Sequence, residues 1–291
     1  MIATLFLLLI ACDDAFVSEP WRIDRLRVLA IAADPAEPRP GDTVTFRSLV
    51  VGPPEAPPGI VVYVGCLTGD PSEGCALDGA AIEAIFADGA IDAEEQQVLL
   101  DAGLLGVEPF LAPTWTIPAD ALDTLEPSAR AEGLTVFVNV SAFPELAEGE
   151  EVSEDDVELA FKRMPISEAL TPNHNPTVSA LLVDGVALAE GATVTLDRGQ
   201  TYDIDVRLAE DAVETYTYVP DDGPAEERDE APYFTWFTEE GVFDQSTAVW
   251  PETARRYTTP TDPARDTSRL WAVARDRRGG MGWIGVNVRW R

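Results

Sequence analysis

Short alternations of apolar and polar residues recur along most of the chain, the period-2 mark of strands with one buried face. Leu26, Val28 and Ala30 alternate up to a bend at Pro38, Pro40 and Gly41, and Val44, Phe46 and Ser48 take up the rhythm after it. Further strands are predicted at residues 60–64, 114–117, 135–140 and 157–163. After a Pro-rich stretch, more follow at 177–183, 192–196, 201–208, 215–219 and 233–237, with a turn at Asp184-Gly185. The acidic run DDGPAEERDEAP lies between the last two of these. Near the C-terminus Leu270, Ala272 and Ala274 on one strand, and Ile284, Val286, Val288 and Trp290 on the next, form the inward sets. Trp271, Val273 and Arg275 then point outward, as do Trp283, Asn287 and Arg289. Counting back from the turn places Trp271 roughly opposite Trp283, a cross-strand aromatic pair worth about 0.2–1 kcal/mol.

Two segments break this rhythm. Residues 80–106 carry Ala, Glu, Gln and Leu at helical spacing, with Asp92 as a candidate N-cap, and predict one or two short helices inserted into the first sheet structure. Ile82, Ile85, Val98, Leu99 and Leu105 are its expected core-facing positions, a ligand-binding lid being the sharper alternative. Residues 2–11, IATLFLLLIA, are apolar except for Thr4. As a helix they span about 15 Å, half a bilayer core, which suits the centre of a signal peptide and not a membrane span.

That apolar run ends on Leu9-Ile10-Ala11-Cys12, which resembles the lipobox of bacterial lipoproteins. The resemblance implies cleavage before Cys12, lipid on its thiol, and anchoring of the mature chain to the cell envelope, at the outer membrane or the periplasmic face of the inner one. Residues 1–11 are then the signal peptide and 12–22 a tether. The first basic residue is Arg22, so the positive opening of that pattern is missing, as it would be with a start codon further upstream. The competing reading is a short buried strand with an ordinary thiol at Cys12. Cys66 and Cys75 flank LTGDPSEG, a turn-rich segment, and are expected to form a disulfide. Closing that ring stabilises by about 2.7 kcal/mol in the chain-entropy model. Free thiols are the alternative, and metal binding lacks further ligands because the only His, His174, is far away in sequence.

The stretch ADPAEPRPGDTVTFRSLV, residues 33–50, resembles the first two strands of bacterial Ig-like domains. RLWAVARDRRGGMGWIGVNVRW, residues 269–290, resembles the last hairpin of PKD-like and other Ig-like domains, with Gly279 and Gly280 supplying positive φ at its turn. These resemblances imply an all-β chain of two tandem Ig-like antiparallel β-sandwiches, the first with the short helical insertion. The first spans 23–164 and the second 177–291. Pro165, Pro172 and Pro176 with Asn173 and Asn175 make 165–176 a stiff linker. His174 sits inside it and is expected to be a turn residue. Asn-x-Asn-Pro joints resemble those between the modules of bacterial surface lipoproteins.

Composition narrows the chemistry. In 291 residues, 52 acidic against 20 basic side chains give a net charge of −32, which excludes binding along a nucleic acid backbone. Residues 145–158 hold eight acids and no base, a solvated loop with calcium as the sharper alternative, though EF-hand spacing is missing. Residues 250–291 reverse the sign, with nine Arg and four acids. There is one Lys, Lys162, beside 19 Arg, which fits a GC-rich genome and a saline habitat. No nucleophile elbow, P-loop, dinucleotide fingerprint or His-Glu-x-x-His motif occurs, so no catalytic residue, cofactor or metal is assigned. The leading expectation is a lipid-anchored binding, adhesion or spacer module without catalysis. The alternative is a glycan- or peptide-binding accessory lipoprotein of an envelope assembly. Its candidate surface, for a protein or glycan partner, is Trp271, Trp283, Arg275 and Arg289. A hydrolase built on paired carboxylates is the third possibility.

Overall fold

The structure, a computed structural model, describes residues 19–66, 99, 103–146, 153–218 and 223–291. Its fold is all-β; among the described residues there are one short 3-10 turn at Glu154–Asp156 and a helical residue at Leu99. The first half contributes β1 (Arg27–Asp34), β2 (Thr43–Val51), β3 (Pro58–Cys66), β4 (Leu104–Glu108), β5 (Thr114–Thr116), β6 (Leu134–Pro144) and β7 (Glu158–Ile166). The second contributes β8 (Val178–Val183), β9 (Val186–Leu188), β10 (Thr193–Leu196), β11 (Thr201–Leu208), β12 (Thr215–Tyr218), β13 (Glu226–Asp229), β14 (Tyr233–Thr238), β15 (Val242–Phe243), β16 (Thr247–Val249), β17 (Arg255–Thr258), β18 (Thr267–Arg275) and β19 (Met281–Trp290).

In the first sandwich a sheet of order β1-β2-β5 packs on one of order β4-β3-β6-β7. Val44 and Phe46 from one sheet meet Tyr63, Val136, Val138 and Val140 from the other, so the alternation in the sequence becomes the core. In the second, β10-β19-β18-β14-β16 packs on β15-β17-β11-β8-β9 around Trp236, Tyr257 and Phe234. Fully burying an apolar side chain of this kind stabilises by roughly 1.5–3 kcal/mol. The predicted inward sets of the C-terminal hairpin all lie in this core, from Leu270 through Trp290. Among the described residues two pairings depart from the antiparallel expectation: β10 runs parallel to β19, and Arg22 makes a parallel bridge with Thr238.

Four expectations are corrected. Residues 104–106, placed in the helical insertion, begin strand β4, because the run Leu104-Leu105-Gly106-Val107 is buried on both faces: Leu105 in the main core, Leu104 and Val107 with Leu99 and Val62 on the outer face. The rest of that insertion, apart from buried Leu99, lies outside the described residues. The tether does not run free to residue 22. Trp21 is 9% exposed and packs edge-on against Phe243, and main-chain bonds link Ile23 N–H to Thr238 O and Thr238 N–H to Trp21 O. A bare indole is costly to leave in water, and the second sandwich covers it. The acidic run after β12 is not all loop: residues 226–229 form β13, paired with β12 in a separate two-stranded ribbon.

The last hairpin is the fourth. Trp271 pairs with Gly285 and Trp283 with Val273, two residues from the expected register. The cause is the turn. Asp276 Oδ1 accepts the N–H groups of Arg278, Gly279 and Gly280, which makes a longer loop between Arg275 and Met281. Positive φ falls at Arg277 and Gly279 and not at Gly280. Gly280 is needed for space instead, since a Cβ there would overlap the Asp276 carboxylate and crowd the His174 carbonyl. Cys12 and Cys75 lie outside the described residues; Cys66 ends β3.

Candidate functional site at the seam between the sandwiches

The outward face of the β18–β19 hairpin is not a free platform. Trp271 is 5% exposed and Val273 0%, packed with Phe237 against Ile23, Leu29, Ala30 and Val51. The second group belongs to the first sandwich and its lead-in, so the partner of this face is the same chain. Gly285 lets the Trp271 ring lie across the neighbouring strand, where any Cβ would strike it. The Arg269 guanidinium covers the ring at 4.9 Å and is itself held by Glu239 at 2.7 Å. Arg275 donates to the Leu29 carbonyl at 2.7 Å, and burial lowers its pKa. Of the four expected surface residues only Arg289 is exposed; Trp283 is half-buried. Alternation alone cannot tell a solvated face from one covered by another domain.

Beside this apolar layer lies a polar one, built from the linker and the hairpin turn. Asn173 is buried, donates from Nδ2 to Asp276 Oδ2 at 2.8 Å, and from its main chain to Glu37 Oε2 at 2.7 Å. Asn175 donates to the Ala33 carbonyl and accepts from Met281 N–H. Ser167 donates to Glu37 Oε1 at 2.5 Å. Arg278 reaches Glu230 at 2.9 Å, Glu214 at 3.2 Å and Glu37 at 3.6 Å, so one guanidinium holds carboxylates from both sandwiches. His174 is exposed and lies 2.6 Å from Glu214. Lys162, at an inward position of β7, is 0% exposed and donates to the Gly279 carbonyl across the seam. Burial lowers its pKa to about 8 and raises those of Asp276 and Glu230. The linker is thus hydrogen-bonded to both sandwiches, to Glu37 and Ala33 of the first and to Asp276 and Met281 of the second.

Sequence reasoning missed Lys162, Glu37 and Trp21. A signal for Lys162 was present: it shares strand parity with Ala160 and Met164, both inward. Among the described residues no group of His, Cys, Asp or Glu side chains is arranged to hold a metal.

The open clefts on the second sandwich include two of similar volume. One, of about 360 Å³, is lined by Asp203, Asp205 and Asp244 with Arg255 and Arg256. Asp244 Oδ1 accepts from the N–H of Gln245 and of Arg256, and Asp205 accepts from Thr253, so two of the three carboxylates hold local backbone and a neighbouring hydroxyl. The other, of about 340 Å³, opens at the seam between Arg47 of the first sandwich and Trp283, Met281, Thr177, Ser179 and Glu190 of the second. Arg47 stacks over the Trp283 ring at 5.2 Å.

No protein-family model matches the chain, and no curated protein matches it. Among solved structures, a nucleoside hydrolase-related hypothetical protein from Saccharophagus degradans associated with carbohydrate metabolism aligns at 10% identity and a TM-score of 0.31, over 62% of this chain and 50% of its own. The chain thus spans half the length of that protein. The two tandem V-type regions of VCBP3, a v-region-containing chitin binding protein, align at 11% identity and 0.30, over 90% of this chain and 100% of theirs. The tandem Ig repeats of Dlar align at 10% and 0.24, over 92% and 99%. Similarity this low says nothing of activity.

Proposed function

We propose that this chain is a lipid-anchored, non-catalytic module of the bacterial cell envelope, carrying two sandwiches joined as one rigid body for binding, adhesion or spacing. The seam carries the reading. A dry layer around Trp271 and a polar layer around Arg278 and Asn173 fix the angle between the sandwiches, which a binding or spacer body needs and a flexible tether does not. The Leu9-Ile10-Ala11-Cys12 motif supports export and anchoring through Cys12. Trp21 docks on the second sandwich, which supports an anchor attached on the side of that body.

Two measurements test this. Spin labels on Thr43 and Thr201, read as a distance distribution, give one narrow peak if the body is rigid; a broad distribution overturns it. Mass spectrometry of the mature protein purified from membranes gives a diacylated Cys12 and a Cys66–Cys75 disulfide; an unmodified Cys12 on a cytosolic protein removes the envelope assignment.

A further inference from the structure

We propose that the seam cleft at Trp283 binds a neutral hexopyranose ring, as a free sugar or as one unit of a glycan. This deepens the non-catalytic binding reading and rests on it.

The argument starts from the edge of β19. Beyond β18, its ladder continues on β10 only from Asn287 onward. Along the rest of that edge, Met281 N–H is taken by Asn175 Oδ1, Gly285 N–H by Glu190 Oε2, and the Gly285 carbonyl by Gly191 N–H. Trp283 lies between them at the same parity, so its N–H and C=O turn to the same side. Among the described residues neither group has a partner, and the side they face is the cleft. A strand edge is thus left open for a single residue and closed at both ends by side chains.

That opening is too short for an added peptide strand, which pairs at alternate residues over a longer run. It suits a pair of adjacent hydroxyls, since each hydroxyl both donates and accepts. The surroundings fit the same ligand. The half-buried Trp283 indole carries the Arg47 guanidinium over its ring and packs on the seam cluster, and the apolar surface these leave is what it offers to a sugar's C–H groups. Arg47 and Glu190 stand at the cleft as donor and acceptor; Arg47 makes no ion pair among the described residues, and Glu190 keeps one oxygen beyond its bond to Gly285. Thr177 adds a hydroxyl, and a volume of about 340 Å³ is at the small end of ligand clefts. The presence of both Arg47 and Glu190 favours an uncharged polyol over an acidic one.

The test is saturation-transfer NMR and calorimetry on the whole folded chain with glucose, galactose, mannose and N-acetylglucosamine and their β-linked tetrasaccharides, alongside uronic acids and an extended test peptide. The expected result is binding of at least one neutral sugar, weakened tenfold or more in Trp283→Ala and in Arg47→Ala. Arg47 is exposed, so its variant keeps the fold if Trp283→Ala does not. Trp283→Phe retains part of the binding. The proposal is overturned if no neutral sugar binds, if binding is the same in Arg47→Ala and Trp283→Phe, or if only the peptide or uronic acids bind. Recovery of cleaved oligosaccharide would instead overturn the non-catalytic reading.

Discussion

Lys162, the only lysine of the chain, leaves the first sandwich from β7 and donates its hydrogen bond to the Gly279 carbonyl in the turn of the second. The two groups are 117 residues apart in sequence. Bringing them together requires both sandwiches and the linker to be in place, and it buries an amine whose charge has little water around it.

The first prediction concerns that amine. Burial holds its pKa at about 8 against 10.5 when free. Between those values the unfolded chain binds more protons, so stability rises with pH across that window. The gain approaches about 3 kcal/mol by pH 10.5, and below pH 8 it is missing. Lys162→Met should lose this slope. Denaturant unfolding at pH 7 and pH 10 of both proteins checks it, because tyrosine titration is common to the two and cancels in the comparison. Equal slopes would mean that the amine is solvated.

Trp271→Ala separates a surface aromatic from a seam aromatic. A solvated residue would cost within about 0.5 kcal/mol. Buried under Leu29, Ala30 and Val51, its loss should cost roughly 3–5 kcal/mol and widen the distribution of distances between the sandwiches. Thermal unfolding and small-angle scattering report the two effects independently.

These two residues also show what was legible. The strands with a solvated face, such as β2 with Val44 and Phe46, read directly as period 2. The inward set of β18 did too. The seam did not, because Trp271 and Val273 occupy positions whose alternation is the same whether water or another domain lies over them. The register was missed for a different reason: Asp276 closes the turn with three backbone bonds, and counting from Gly279-Gly280 does not include it. Leu104 and Leu105 were ambiguous because a strand buried on both faces has no alternation to read.

Gly280→Ala tests the turn without touching charge. Its φ is not in the left-handed region, so the added methyl meets no backbone penalty and acts only by pressing on the Asp276 carboxylate and the His174 carbonyl. The expected cost is about 1–3 kcal/mol. Gly185→Ala, where a Cβ meets nothing but φ is +78°, isolates the backbone cost for comparison. If Gly280→Ala melts with the parent protein, the turn has room that the geometry denies.

The last prediction concerns where the N-terminal segment of the chain is held. Trp21 lies in the core of the second sandwich with Phe243 and Trp236, although it precedes the whole of the first. Removing residues up to 18 should therefore leave the melting temperature unchanged, because the docking contacts named above begin at Trp21. Removing residues up to 23 takes away Trp21 and Ile23 together with the main-chain bonds to Thr238. That should lower the stability of the second sandwich, and Trp21→Ala alone should cost roughly 3–5 kcal/mol. Hydrogen exchange at Phe237 and Thr238 then reports the loss locally: these amides should lose protection in Trp21→Ala while those of Val138 and Val140 in the first sandwich keep theirs. If both sandwiches lose protection equally, the indole supports the two bodies through the seam; if neither does, the segment at Trp21 is not docked on the second sandwich.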